Sequence, residues 1–223
     1  MAELIQGLTA EAVRAKAERV RAEIGDACAR AGRDPAGVEL LAAVKYVAPE
    51  DLGVLREAGL TLVGENRAQE LARKRELAPD LTWDFIGHLQ SRKVKQLLPL
   101  VRLIHSVATD SVVRELGKHA SSDTRVLVEV NISGEDGKSG IAPDRLGEFV
   151  ARCREEGGVE VAGLMTMPPI AAEPEASRRW FAALAELAAE HGLPGLSMGT
   201  TQDFAVAVEE GATIVRIGTR LYR

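Results

Sequence analysis

The chain has 223 residues, long enough for one large domain or two small ones. Its 46% hydrophobic and 27% charged residues are those of a globular protein, and a net charge of −5 with both signs interspersed argues against nucleic acid, which calls for a basic face. No run approaches the roughly 18 apolar residues of a membrane span.

The start, Met1 to Gly7, lacks the charged-then-apolar form of a signal peptide. Residues 9 to 31 predict a helix, with Val13, Ala17, Val20, Ile24 and Cys28 as its apolar stripe, Thr9 as N-cap and Gly32 as stop. Val38 to Lys45 is a nearly continuous apolar run, as expected of a strand covered on both faces. From there helices and strands alternate. Helices are expected at 49–58, 68–77, 91–98, 111–120, 144–155, 174–190 and 202–209. Strands are expected at 61–64, 82–86, 101–106, 125–132, 159–164, 195–197 and 212–217. Cys28 and Cys153 fall on helices without CxxC or Cys/His spacing. They read as reduced, partly buried fillers in a cytoplasmic protein, and no metal site is expected.

Eight strands with seven helices between them imply parallel βαβ units, and the length suits a single (β/α)8 TIM barrel domain over residues 1–223 with an extra N-terminal helix. A doubly wound open sheet is the alternative, but the first strand lacks the GxGxxG turn of a dinucleotide site. The turn Ser133 to Gly140 is the longest polar loop and is expected to be the most mobile.

Two segments carry the clearest chemistry: Leu196-Ser197-Met198-Gly199-Thr200-Thr201-Gln202-Asp203 and Arg216-Ile217-Gly218-Thr219. Each places glycines and hydroxyl residues after a short apolar run, which suits a backbone wrapping phosphate; ordinary turns use the same residues. A barrel joins the two, because both follow the last strands at the end where barrels bind ligands. A helix starting near Gln202 would add the positive end of its dipole.

Strand alternation puts Leu41, Ala43 and Lys45 on one face, with Lys45 emerging at the mouth. A lysine entering an apolar barrel loses solvation, which favours the neutral, nucleophilic amine and suggests a Schiff base with a phosphorylated carbonyl compound. Arg216 shares an inward face with Ala212 and Ile214. A buried guanidinium there needs a phosphate, a carboxylate or a ring nitrogen as partner, or belongs to an internal salt bridge. Glu129 and Asn131 face inward on the fifth strand, and Asn66, His88 and Gln90 lie at or past strand ends. Their roles stay open between ligand contacts and caps or pairs.

Together these residues resemble the pyridoxal phosphate homeostasis family. The likeness runs through Ala43-Val44-Lys45, Gly64-Glu65-Asn66-Arg67-Ala68-Gln69-Glu70 and Phe85-Ile86-Gly87-His88-Leu89-Gln90-Ser91. It continues through Val130-Asn131-Ile132, Lys138-Ser139-Gly140, Gly163-Leu164-Met165-Thr166-Met167, Ser197-Met198-Gly199 and Arg216-Ile217-Gly218. The resemblance implies a barrel similar to the N-terminal domain of alanine racemase, without that enzyme's second domain. It further implies pyridoxal 5′-phosphate as cofactor, bound to Lys45 as an internal aldimine. Ser197, Gly199, Thr201, Gly218 and Thr219 would hold the phosphate, Arg216 would face the pyridine nitrogen and Asn66 would lie near the ring. Two departures stand out. Thr200-Thr201 replaces the family's usual Met-Ser, keeping a hydroxyl at Thr201, and the chain ends at Leu221-Tyr222-Arg223 instead of near Ile-Phe-Gly.

A guanidinium at the ring nitrogen disfavours its protonation and weakens the cofactor as an electron sink. A racemase also needs a second acid/base. The chain's tyrosines are Tyr46, expected to point away from Lys45, and Tyr222, of unknown position. The expectation is a non-catalytic carrier of the cofactor. It would act as a monomer delivering to apo-enzymes that require pyridoxal phosphate, with no nucleic-acid or membrane partner. The alternatives are a racemase-like enzyme using the same cofactor and a cofactor-free sugar-phosphate aldolase or isomerase.

Overall fold

Thr9 starts the first helix: its Oγ1 accepts a hydrogen bond from the Ala12 amide at 3.3 Å. Helix α1 (Ala10–Arg30) buries the expected stripe, and the chain leaves it through Gly32 at φ +64°. The computed structural model describes residues 4–223; Met1, Ala2 and Glu3, the start of the stretch read for a signal, lie outside the described residues.

The strands are β1 (Glu39–Ala43), β2 (Leu62–Glu65), β3 (Thr82–Phe85), β4 (Leu103–Val107), β5 (Arg125–Glu129), β6 (Glu160–Met165), β7 (Gly195–Thr200) and β8 (Ile214–Ile217). They pair in sequence order, all parallel, and β8 closes on β1. The closed barrel decides against the open sheet. The helices are α2 (Leu52–Glu57), α3 (Ala68–Leu77), α4 (Val94–Leu97), α5 (Asp110–His119), α6 (Leu146–Glu155), α7 (Arg178–Glu190) and α8 (Phe204–Glu209). The extra helix α1 packs on α8 and α2. No helix among the described residues is long and apolar enough to cross a membrane.

Alternation along the strands sorts the core into two layers. Leu41, Leu62, Ile86, Leu103, Leu127, Ala162, Met165 and Ile214 form the apolar part of the barrel interior. The opposite strand faces, with Val63, Val126, Val128, Leu164, Met198 and Val215, join the helices in the larger outer layer. Cys28 and Cys153 are fully buried there, not partly.

The strand ends differ from expectation where backbone groups find other partners. Strand β1 stops at Ala43, and a turn closed by Val47 N–H on Val44 C=O (3.0 Å) carries Lys45 and Tyr46. Strand β7 runs on to Thr200 despite its Gly-Thr sequence, because its register with β8 shifts between Ser197 and Thr200, and Gly199 takes up the shift at φ +86°. Strand β5 ends at Glu129, after which Val130 makes one isolated bridge to Ile141.

Candidate functional site

The two glycine- and hydroxyl-rich segments meet at the C-terminal mouth of the barrel. The Gly218 amide donates to Thr201 Oγ1 at 3.3 Å. The Thr200 amide (2.8 Å) and hydroxyl (3.2 Å) both donate to Asp203 Oδ1. Helix α8 begins at Phe204, not Gln202, and its six residues carry little of the dipole expected there. Gly199, Thr200, Thr201, Asp203 and Arg216 line a cavity of about 350 Å³, closed on its other side by the loop from Met167 to Ala172. That is within the range of small-molecule pockets. A second cavity, about 400 Å³, opens at the opposite end of the barrel near Arg21, Glu39 and Thr61, away from these residues.

Arg216 points inward from β8 and is 6% exposed. It donates to Ser197 Oγ, to Thr166 C=O at 2.9 Å and to Met167 Sδ at 2.9 Å. Burial pushes the guanidinium down to about 10, while Asp203 and Glu129 pull it the other way. Ser197 is fully buried beneath the mouth, its hydroxyl engaged with Arg216 and with His105 Nδ1 at 2.9 Å. Its hydroxyl is thus engaged beneath the mouth, and Ser197 is not among the residues lining the cavity.

The network continues through the barrel. His105 Nε2 lies 3.1 Å from Asp84 Oδ2, and Arg102 grips Asp84 with two bonds of 3.0 and 2.7 Å. Burial holds the His105 imidazole below its ordinary value, against the pull of Asp84. One proton arrangement satisfies the whole chain of groups. Arg216 donates to Ser197, Ser197 to Nδ1 of a neutral His105, and His105 Nε2–H and Arg102 to ionised Asp84. The sequence reading missed Asp84 and His105. The available signal was a carboxylate and an imidazole at inward positions of short apolar strands.

Lys45 stands at the same mouth, beyond the end of β1 and next to β8. Ala42 pairs with Ile217, and a Cβ on Gly218 would lie 3.8 Å from Ala43 Cβ. The side chain is exposed, with Nζ 5.0 Å from the Tyr46 ring centroid. Two expectations are thereby corrected: Lys45 is not desolvated within the barrel, and Tyr46 does not point away from it. Both rested on strand alternation, which ends at Ala43. Neither Lys45 nor Asn66 lines the 350 Å³ cavity.

Asn66 follows β2 and is exposed; its amide donates to Glu65 Oε1 at 2.7 Å. Gly87 packs so tightly on it that a Cβ there would lie 2.0 Å from Asn66 C=O. Thr219 is exposed and opens the last turn. Glu129 is buried and accepts from Ser139 Oγ, while Asn131 Nδ2 donates to Glu135 C=O at 3.0 Å, so both organise the 133–140 loop. His88 and Gln90 are exposed past β3, and Gln90 Oε1 accepts from Arg92 at 3.1 Å. Tyr222 packs in the outer apolar layer, away from the cavity lining.

Residues 16–223 match the family model of the alanine racemase N-terminal domain. The pyridoxal phosphate homeostasis protein of Aquifex aeolicus is 45% identical over 215 residues, covering 92% of this chain and 94% of that one. A crystal structure of an unknown protein from Bifidobacterium adolescentis superposes with a TM-score of 0.87 at 32% identity, covering 99% and 98% of the two chains. PipY of Synechococcus elongatus, solved with PLP bound, superposes with a TM-score of 0.79 at 28% identity, covering 95% of this chain and all of PipY. Barrel, matching model and full-length relatives agree: the chain belongs to the pyridoxal phosphate homeostasis protein family, on the fold of the alanine racemase N-terminal domain.

Proposed function

We propose that the chain binds pyridoxal 5′-phosphate covalently through the Lys45 amine and takes part in vitamin B6 homeostasis without catalysing a reaction of its own. The observation that carries this is the buried Arg216 at a cavity walled by Gly199 and Thr201, with Gly218 bonded to Thr201. The donor set fits such a ligand. Gly199, Thr201 and Thr219 offer backbone amides and hydroxyls to the phosphate, the Gly218 amide holds the Thr201 hydroxyl beside them, and Arg216 offers a cation to the ring nitrogen. Ser197 serves from below, holding Arg216. Among the described residues Asp203 is the one carboxylate on the cavity wall, and its Oδ1 is occupied by Thr200. The cofactor supplies an aldehyde. Lys45 supplies the amine, and Asn66 stands at the neighbouring strand end.

Arg216 supports the non-catalytic reading, because it opposes protonation of the ring nitrogen and weakens the cofactor as an electron sink. Absorbance of the purified protein with pyridoxal phosphate, before and after borohydride, tests the reading, followed by mapping of the reduced label. The expected label is on Lys45, and Lys45→Ala abolishes the visible band. A band that survives in Lys45→Ala assigns the bond to another lysine. The protein is further read as a monomer whose partners are the cofactor and apo-enzymes that need it; light scattering measures the first.

One observation favours a racemase-like reading instead: Tyr46 lies against Lys45 and could serve as the second acid/base. Exchange of amino-acid α-protons at enzyme-like rates, lost in Tyr46→Phe, would establish it.

A further inference from the structure

Lys74 is a helix residue between Arg73 and Arg75, yet it is 2% exposed. Its Nζ donates to Glu65 Oε2 at 2.7 Å and to Val44 C=O at 2.6 Å. Glu65 is 1% exposed, and its other oxygen accepts from the amides of Asn66 (2.7 Å) and Arg67 (3.2 Å). A single buried ion pair thus ties the backbone preceding Lys45 to the backbone of Asn66. Taking two charges out of water is costly, and apolar residues of the same volume usually stabilise a fold as well or better. Packing alone therefore gives no reason for the pair. What the pair does that apolar side chains could not is bind three backbone groups on two neighbouring strand ends. The captured carbonyl is also the one that closes the turn carrying Lys45.

We propose that Glu65 and Lys74 are positioning residues: they fix where the Lys45 amine stands relative to Asn66 and the rest of the mouth. The inference rests on the covalent role of Lys45 proposed above. The pair touches neither the cavity wall nor the phosphate donors, so its effect falls on bond formation and not on phosphate grip.

The test is the double variant Glu65→Gln/Lys74→Met, which removes both charges together and leaves a side-chain carbonyl oxygen on β2 to accept from the Asn66 amide. Affinity is measured for pyridoxal 5′-phosphate and for pyridoxine 5′-phosphate, which carries an alcohol in place of the aldehyde. The expected result is at least a tenfold loss for the aldehyde, slower borohydride-fixed labelling of Lys45, and less than a twofold change for the alcohol. Unchanged affinity for the aldehyde, or an equal loss for both ligands, overturns the positioning role. Wild-type label on a lysine other than Lys45 overturns the Lys45 assignment and this inference with it; wild-type label on Lys45 with unchanged labelling in the variant overturns this inference alone. Should the double variant not fold, Lys74→Gln keeps a shorter donor beside Glu65. It is expected to lose affinity for the aldehyde about threefold and none for the alcohol, and equal behaviour towards both ligands is again the overturning result.

Discussion

The hydroxyl of Ser197 on β7 and Nδ1 of His105 on β4 lie 2.9 Å apart across the barrel interior, both fully buried. Through that contact Arg216 at the mouth is joined to Asp84 and to Arg102 near the N-terminal end of β4. Ser197→Ala leaves His105 Nδ1 without its donor and Arg216 with one partner fewer. The expected cost is about 1–3 kcal/mol, the usual penalty for stranding a buried polar group. Urea unfolding measures it, and a weaker hold on pyridoxal phosphate is expected in the same variant.

Stability should depend on pH through His105. Its folded-state value is depressed by burial, so below the ordinary value of 6.5 the unfolded chain takes up a proton that the folded protein resists. The contribution is therefore complete above about pH 6.5 and is lost progressively as pH falls below it. Unfolding free energy should be lower at pH 5.5 than at pH 7.5, and His105→Gln should remove part of that difference. A wild-type slope equal to the variant's would mean that His105 does not titrate between the two states.

Gly199→Ala meets two obstacles. The residue sits at φ +86°, and a Cβ would lie 2.5 Å from Ala207 Cβ and 2.9 Å from Phe204 Cα. Backbone strain and overpacking each cost roughly 1–3 kcal/mol. The bulge would have to open or α8 to move, so thermal unfolding should shift down and phosphate affinity should fall with it.

The thiols should be silent. Cys153 is fully buried, and burial pushes its thiol up to about 12; Cys28 is equally enclosed. Ellman's reagent should titrate neither in native protein and both in guanidinium. Prompt reaction of the native protein would mean that α6 or α1 opens readily.

Much of this molecule was legible in its sequence because period and length carry the information. The stripe from Val13 to Cys28, the eight apolar runs and the two Gly/Thr segments depend only on local spacing, and closure then brings Thr201 to Gly218. The reading faltered where a residue's surroundings come from distant chain. Lys74 looks like any helix lysine until β2 presents Glu65 to it. His105 and Asp84 acquire meaning only when β3, β4 and β7 face one another around the barrel. Lys45 was placed by extending alternation two residues past Ala43, where the strand ends and the next carbonyl, that of Val44, turns to a side chain.

The turn after β1 holds Lys45 at the rim, in contact with solvent, instead of down among Leu41 and Ile214. Cargo tethered to that nitrogen would be within reach of an incoming amine or of water while the wall stays shut. Unloading would then call for a competing nucleophile and no breathing of the eight-stranded ring.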